Sequence, residues 1–87
     1  MAKFNMYSKR RTSLNTVTAT GAGATTTGAI AVSIYNKGSA SGTVEGITLP
    51  AGDGLEWNVN GPYDDISYDA TGTTFTIWEE LDRDDDD

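Results

Sequence analysis

Over residues 28–36 the chain alternates with a period of two: Ile30, Val32 and Ile34 fall on one side, Ala31, Ser33 and Tyr35 on the other. Only an extended strand points every second side chain the same way, so this stretch commits the chain to a sheet. Leu55, Trp57 and Val59 repeat the pattern against Glu56 and Asn58, and Phe75 and Ile77 repeat it against Thr74, Thr76 and Trp78. Composition supports the same reading. Thr recurs at positions 12, 16, 18, 20, 25 to 27, 43, 48, 71, 73, 74 and 76, joined by Val, Ile, Tyr and Trp, and strong helix formers are sparse outside the ends.

Turn residues divide these runs. Asn36-Lys37-Gly38 and Ser39 to Gly42 close the first strand, Pro50 to Gly54 makes a tight connection, and Asn60-Gly61-Pro62 ends the strand that carries Trp57. In residues 43–49 the period slips by one at Glu45-Gly46, and a bulge at Gly46 is expected to return Val44 and Ile47 to one face. Ile66-Ser67-Tyr68 reads as a short strand, followed by a turn at residues 69–72 in which the Asp69 side chain caps its own backbone. Residues 13–20, with Leu14 and Val17, read as extended, and residues 21–27 as a flexible loop. The expectation is an all-β protein, a small antiparallel β-sandwich or barrel of about six short strands. Its domain spans residues 13–80, between a basic arm at 1–12 and an acidic tail at 81–87, both flexible charged termini.

The expected core is Leu14, Val17, Ile30, Val32, Ile34, Val44, Ile47, Leu49, Leu55, Trp57, Val59, Ile66, Phe75 and Ile77, with Tyr68 at an edge. A domain near this size buries only about 60% of the surface its unfolded chain exposes. The 87 residues include no Cys and no His, so neither a disulfide nor an imidazole or thiolate metal site reinforces this small core. Close packing or assembly with other chains must supply what those staples would have supplied. Tyr35 and Trp78 bear on this point, because each sits on the parity opposite the apolar face of its own strand. Two aromatic rings on a small, polar face are candidates for contact with another subunit; the alternative is a sheet covered on both sides.

Charge is sorted along the chain. The net charge is −7, yet residues 1–11 carry Lys3, Lys9, Arg10 and Arg11 with no acid, and residues 79–87 carry seven acids against Arg83. An acidic body repels phosphate backbones, and the basic arm lacks the stacking and groove-tracking residues of single-strand binders, so no nucleic-acid partner is expected. No apolar run approaches a membrane span, and no export signal opens the sequence, so no membrane partner is expected either. The arm reads either as a solvated terminus or as an anchor made of Lys3, Lys9, Arg10 and Arg11 that lies on an acidic partner or a neighbouring copy. Asp84 to Asp87 form a polyanion without the Gly turn and fixed carbonyls of a calcium loop.

Catalytic groups are few. Without His or Cys, the nucleophile pairs and histidine bases of most small enzymes are missing. Glu45, Glu56, Asp64, Asp65 and Asp69 could pair as in a glycosidase, but they fall at turns or on solvent-facing positions. Asp64, Asp65 and Asp69 could share a calcium ion, yet they lack the alternating Asp pattern of a calcium loop and read more simply as turn formers. Trp57, Tyr63, Tyr68 and Trp78 could stack on sugars, although parity assigns Trp57 to the core. No cofactor, metal or catalytic residue is expected, and the chain reads as a non-enzyme.

Three segments carry a resemblance. Residues 29–38 read Ala-Ile-Ala-Val-Ser-Ile-Tyr-Asn-Lys-Gly, and residues 42–57 contain the hairpin Val44 to Gly52, Val-x-Gly-Ile-Thr-Leu-Pro-Ala-Gly. Residues 66–77 contain the corner Tyr68 to Phe75, Tyr-Asp-Ala-Thr-Gly-Thr-x-Phe. Together they resemble the small β-sandwich virion structural proteins of tailed bacteriophages, of the capsid decoration and head-fibre type, over a little more than half the chain. The resemblance implies a non-enzymatic part made in the bacterial host cytoplasm and carried in the virion. It would be a decoration or cement protein that binds the major capsid protein or other virion proteins, homo-oligomeric, with the basic arm as docking element. A fibre or tail-tip module that binds host-surface carbohydrate or receptor is the alternative it implies.

Overall fold

The computed structural model describes residues 11–59 and 61–83. Among these the chain is all β, with strands β1 (Arg11–Ala19), β2 (Ala22–Ala24), β3 (Ala29–Asn36), β4 (Gly42–Val44), β5 (Ile47–Leu49), β6 (Gly54–Trp57), β7 (Ser67–Asp69) and β8 (Phe75–Arg83). They form two antiparallel four-stranded sheets, a long one ordered β1-β8-β3-β6 and a short one ordered β2-β7-β4-β5. This is the small β-sandwich expected, with eight strands in place of about six. β1 and β8 pair along nine positions, from Arg11 opposite Arg83 to Ala19 opposite Phe75, so the ladder reaches beyond residues 13–80 at both ends.

The inner face of the long sheet supplies most of the core. Phe75 and Ile77 of β8 and Val32 and Ile34 of β3 are buried, and Val44, Leu49, Ile66 and Ala70 meet them from the other layer. Gly42 faces Phe75 at close quarters. A Cβ on Gly42 would lie 2.4 Å from the ring carbon Cζ and 2.8 Å from the Asp69 carbonyl, so a side chain there would force the layers apart.

Four residues expected in the core lie outside it: Leu14 is 68% exposed, Ile47 63% and Val59 66%, and Ile30 is half-buried outside the core cluster. Leu14 shares its parity in β1 with Thr16 and Thr18 and stands opposite Glu80 on the outer face. Val59 follows the end of β6, where no strand remains to turn it inward. Ile47 pairs with Val44 and shares its side of the sheet, but it stands on β5, the three-residue edge strand, where the core does not cover it. The expected bulge at Gly46 is instead a two-residue hairpin joining β4 to β5, with Val44 opposite Ile47 on an edge strand. Glu45 and Gly46 both have positive φ, 51° and 79°, as the tight hairpin turn matched to strand twist requires. For Glu this backbone is unfavourable. It is held by the Glu45 N–H donating to the Ser67 carbonyl at 2.8 Å and the Ser67 N–H donating to Glu45 Oε2 at 2.8 Å.

A bulge does occur, one strand earlier. The register of β3 against β8 shifts between Ala29 and Ala31, which leaves Ile30 half-buried and puts Ala29 in the core. Residues 21–27 are likewise not all loop, since β2 pairs with β7, Gly23 opposite Tyr68.

Two of the four buried polar residues among those described, Asn36 and Glu79, anchor hydrogen-bond networks. Asn36, 0% exposed, ends β3. Its Nδ2 donates to the Ala40 and Leu49 carbonyls at 2.8 and 2.9 Å, and its Oδ1 accepts from Gly38 N–H at 3.0 Å and Thr73 Oγ1 at 2.8 Å. All the hydrogen-bonding capacity of the amide is thereby used, and the long sheet is tied to β5 and to the β7–β8 turn. Glu79, 2% exposed, faces inward from β8. It accepts from Asn15 Nδ2 at 3.1 Å and from the backbone N–H and hydroxyl of Thr26 at 2.8 and 2.9 Å, pinning the β2–β3 connection over the sheet.

Candidate partner-binding face

Alternation decides what the long sheet shows to solvent. With Phe75, Ile77 and Glu79 turned in, β8 must turn Thr76, Trp78 and Glu80 out. Register then assembles the face. Trp78 lies between Thr16 of β1 and Ser33 of β3, and Ser33 in turn lies beside Glu56 of β6. In the adjacent row Tyr35 lies between Thr76 and Gly54. Tyr35 and Trp78 therefore occupy the same face of neighbouring strands, as a diagonal pair within reach of one ligand. They are 40% and 38% exposed, and their immediate cross-strand neighbours are Thr, Ser and Gly, which are too small to cover the rings.

The rings frame two open hollows. One of about 190 Å³ is walled by Leu14, Ala31, Trp78, Glu56 and Glu80; the other, of about 620 Å³, by Tyr35, Gly54, Leu55, Glu56 and Trp78. Ser33, Glu56 and Trp78 are common to both. Among the described residues lining them the charged groups are Glu56 and Glu80, so the groove is apolar along its floor and negative at its margin.

The remaining candidates are placed as follows. Lys3, Lys9 and Arg10 lie outside the described residues; Arg11 begins β1. Trp57 is half-buried against the core, and Tyr68 packs on Phe75 with ring centroids 6.3 Å apart. The Tyr63 hydroxyl is engaged by the Val59 backbone, accepting from its N–H at 2.7 Å and donating to its carbonyl. Of the four rings considered for sugar stacking, only Trp78 therefore stands on the open face. Glu45 belongs to its hairpin, and Asp64 and Asp65 are exposed. Asp69 caps its turn as the sequence suggested, Oδ1 accepting from the Thr71 N–H at 2.9 Å. Hydrogen bonds from Thr71, first from its hydroxyl and then from its backbone N–H, hold this carboxyl below the usual Asp range. Among the described residues no group of three acidic side chains is placed to hold a metal ion.

Sequence reasoning found the two rings but not their setting. Residue type alone puts Leu14 in the core and Glu56 among the solvent-facing acids, and it does not single out Glu80. Counting parity from Ala19 along β1 puts Leu14 on the outer face, and counting from Phe75 along β8 does the same for Glu80. No family model, curated protein or solved structure matches the chain.

Proposed function

We propose that the protein is a non-enzymatic structural component of a tailed-phage virion, a decoration protein that binds coat subunits through the outer face of its long sheet. The observation that carries this reading is the exposed pair Tyr35 and Trp78, set side by side on a rigid sheet among small residues. Trp and Tyr dominate interface energetics because each buries a large area at little conformational cost, and a sheet fixes their geometry in advance. The resemblance of residues 29–77 to virion sandwiches supports the setting. The small core of a chain without disulfides supports assembly with symmetric neighbours. Lys3, Lys9, Arg10 and Arg11 serve in this reading as the anchoring arm.

Co-sedimentation with heads that lack the protein tests it. Wild-type chain is expected to pellet with the particles, and the double variant Tyr35→Ser, Trp78→Ser to remain in the supernatant while keeping its β circular dichroism. Equal pelleting of both would refute the face. A second reading draws on the same ring: Trp78 flanked by Glu56, Ser33 and Glu80 is also a platform for a sugar on a fibre or tail tip. Saturable glycan binding that Trp78→Ala abolishes, with particle assembly unaffected, would select it.

A further inference from the structure

We infer that β1 is the seam of a homodimer, in which β1 of one copy pairs antiparallel with β1 of a second about a two-fold axis at Asn15. The inference does not rest on the coat-binding reading, and it leaves the outer face of the long sheet open. Among the described residues β1 ends that sheet, with β8 on one side and no strand on the other, and none of its backbone groups hydrogen-bonds outside the ladder to β8. An antiparallel neighbour engages alternate residues, so half of the N–H and C=O groups of β1 point away from the sheet. Sheets normally blunt such an edge with a short strand, a charge, a proline or a bulge. The other three edge strands comply: β2 and β5 have three residues each, and β6 has four, with Glu56 among them. β1 departs from this pattern. It runs for nine residues, pairs with β8 without a register shift, contains no Pro, and carries its one charge at its first residue, Arg11.

The sequence of β1 points to a second β1 as the strand that completes it. Full overlap of the two strands places Asn15 on the axis, with Leu14 opposite Thr16 of the partner subunit, Thr12 opposite Thr18, Ser13 opposite Val17 and Arg11 opposite Ala19. Residues directly opposite each other point to the same side, so the outer faces of the two long sheets run into one another. No like charges meet in this register, because Arg11 faces an alanine. The two Leu14 side chains become diagonal neighbours across the axis, about 7–8 Å apart, within reach of each other. That contact gives an apolar neighbour to a leucine that is 68% exposed in the single chain. A strand of different sequence would satisfy the backbone equally; leucine meeting leucine, with arginine kept from arginine, is what self-pairing adds. The resulting eight-stranded sheet carries both Trp78 rings on one face, three strand spacings or about 14 Å apart across the strands.

Sedimentation velocity of the full-length chain tests this with charge placed at the seam. Variant one carries Leu14→Lys and Thr16→Lys; variant two carries Leu14→Glu and Thr16→Glu. Both positions are exposed on the outer face, so each variant is expected to keep its β circular dichroism. Wild type is expected to dimerise, and each variant alone to self-associate about tenfold more weakly or worse, because like charges then stand directly opposite. Their equimolar mixture is expected to dimerise again. Tyr35→Ser with Trp78→Ser is expected to dimerise like wild type, since neither ring lies on β1; loss of its dimer would move the contact to the outer face and overturn the seam. A wild-type chain that stays monomeric at every concentration, or a mixture of folded variants that does, overturns it too. Amide exchange of wild type at high and low concentration reads the seam without any substitution. Alternate amides of β1 should slow as the dimer forms, and unchanged exchange there in a dimer overturns the pairing. A monomeric wild type that still pellets with heads overturns the seam and leaves the coat-binding reading standing. A dimer with slowed β1 exchange that fails to pellet does the reverse.

Discussion

The two outer faces of this sandwich are built by the same alternation and differ in almost everything else. The long sheet presents Leu14, Tyr35 and Trp78 with Glu56 and Glu80 at the margin. The short sheet presents Thr43, Thr48, Ser67 and Asp69, with Ala22 and Ala24 in register beside them. Small hydroxyl and carboxylate groups are at home in water, whereas exposed aromatic rings gain by being covered. The strands themselves differ in the same sense. Three residues in each strand of the short sheet suffice to cap the core, while nine-residue β1 and β8 extend the long sheet into a platform. One layer therefore closes the fold, and the other carries the exposed rings.

Removing the scaffold that both faces share should have the largest effect. Asn36 joins the end of the long sheet to β5 of the short one. Asn36→Ala strands the Ala40 and Leu49 carbonyls, the Gly38 N–H and the Thr73 hydroxyl, and should cost about 3 kcal/mol or more, since each buried group left unpaired costs ~1–3 kcal/mol. Urea denaturation measures it; a loss below about 1 kcal/mol would mean that the sheets are held by apolar packing alone. Next comes Glu79→Ala, which releases the Thr26 N–H and Asn15 amide from a buried acceptor. It should cost about 1–3 kcal/mol and raise amide exchange in the β2–β3 connection while the rest of β8 stays protected.

Asn36 and Glu79 were both legible in part. Asn36 continues the parity of Val32 and Ile34, and Glu79 that of Phe75 and Ile77, so alternation alone places both inside. Residue type points the other way: Asn36 reads as part of a turn, and Glu79, the last residue but one of a domain ending at 80, counts with the acids of the C-terminal end. Strands with clean two-residue periods, β3, β6 and β8, were found close to their actual bounds. β2 was not, because Ala-Gly-Ala carries no strand signal of its own; pairing with β7 makes it a strand, and the Tyr68 ring covers Gly23. β4 and β5 were merged because a Glu-Gly turn looks like an irregular strand until Glu45 is seen at positive φ. Ala19, Ala29 and Ala70 fill core positions that a search for large side chains cannot find. The site was legible as two residues and illegible as a groove, since Glu56, Glu80 and Leu14 join Trp78 only through the register of four strands.

Making the faces alike sharpens the contrast at smaller energetic cost. Tyr35→Thr with Trp78→Thr gives the long sheet the chemistry of the short one. Because the rings contribute little to the interior, stability should change by less than about 1 kcal/mol, as for surface substitutions generally. Particle binding should fall away. If thermal unfolding instead drops sharply, the rings belong to the fold and the face is not free to bind.

Asp69 on the short sheet should give the smallest effect, and its pH dependence is the informative part. Thr71 donates to the carboxylate from its hydroxyl and its N–H, which stabilises the ionised form and lowers the folded-state pKa. For an acid shifted down on folding, the unfolded chain binds the proton more readily, so the stabilisation is complete above the unfolded value. It is lost as pH falls through the lowered folded value. Asp69→Ala should therefore lower the denaturation midpoint slightly at neutral pH, and the gap from wild type should close on the acid side of the ordinary Asp range. A gap that persists unchanged into acid would show that the turn depends on the shape of the side chain and not on its charge. The short sheet's outer face would then contribute no electrostatic stabilisation at this position, and the acids of the groove, Glu56 and Glu80, would be the place to look for charge that does work on a partner.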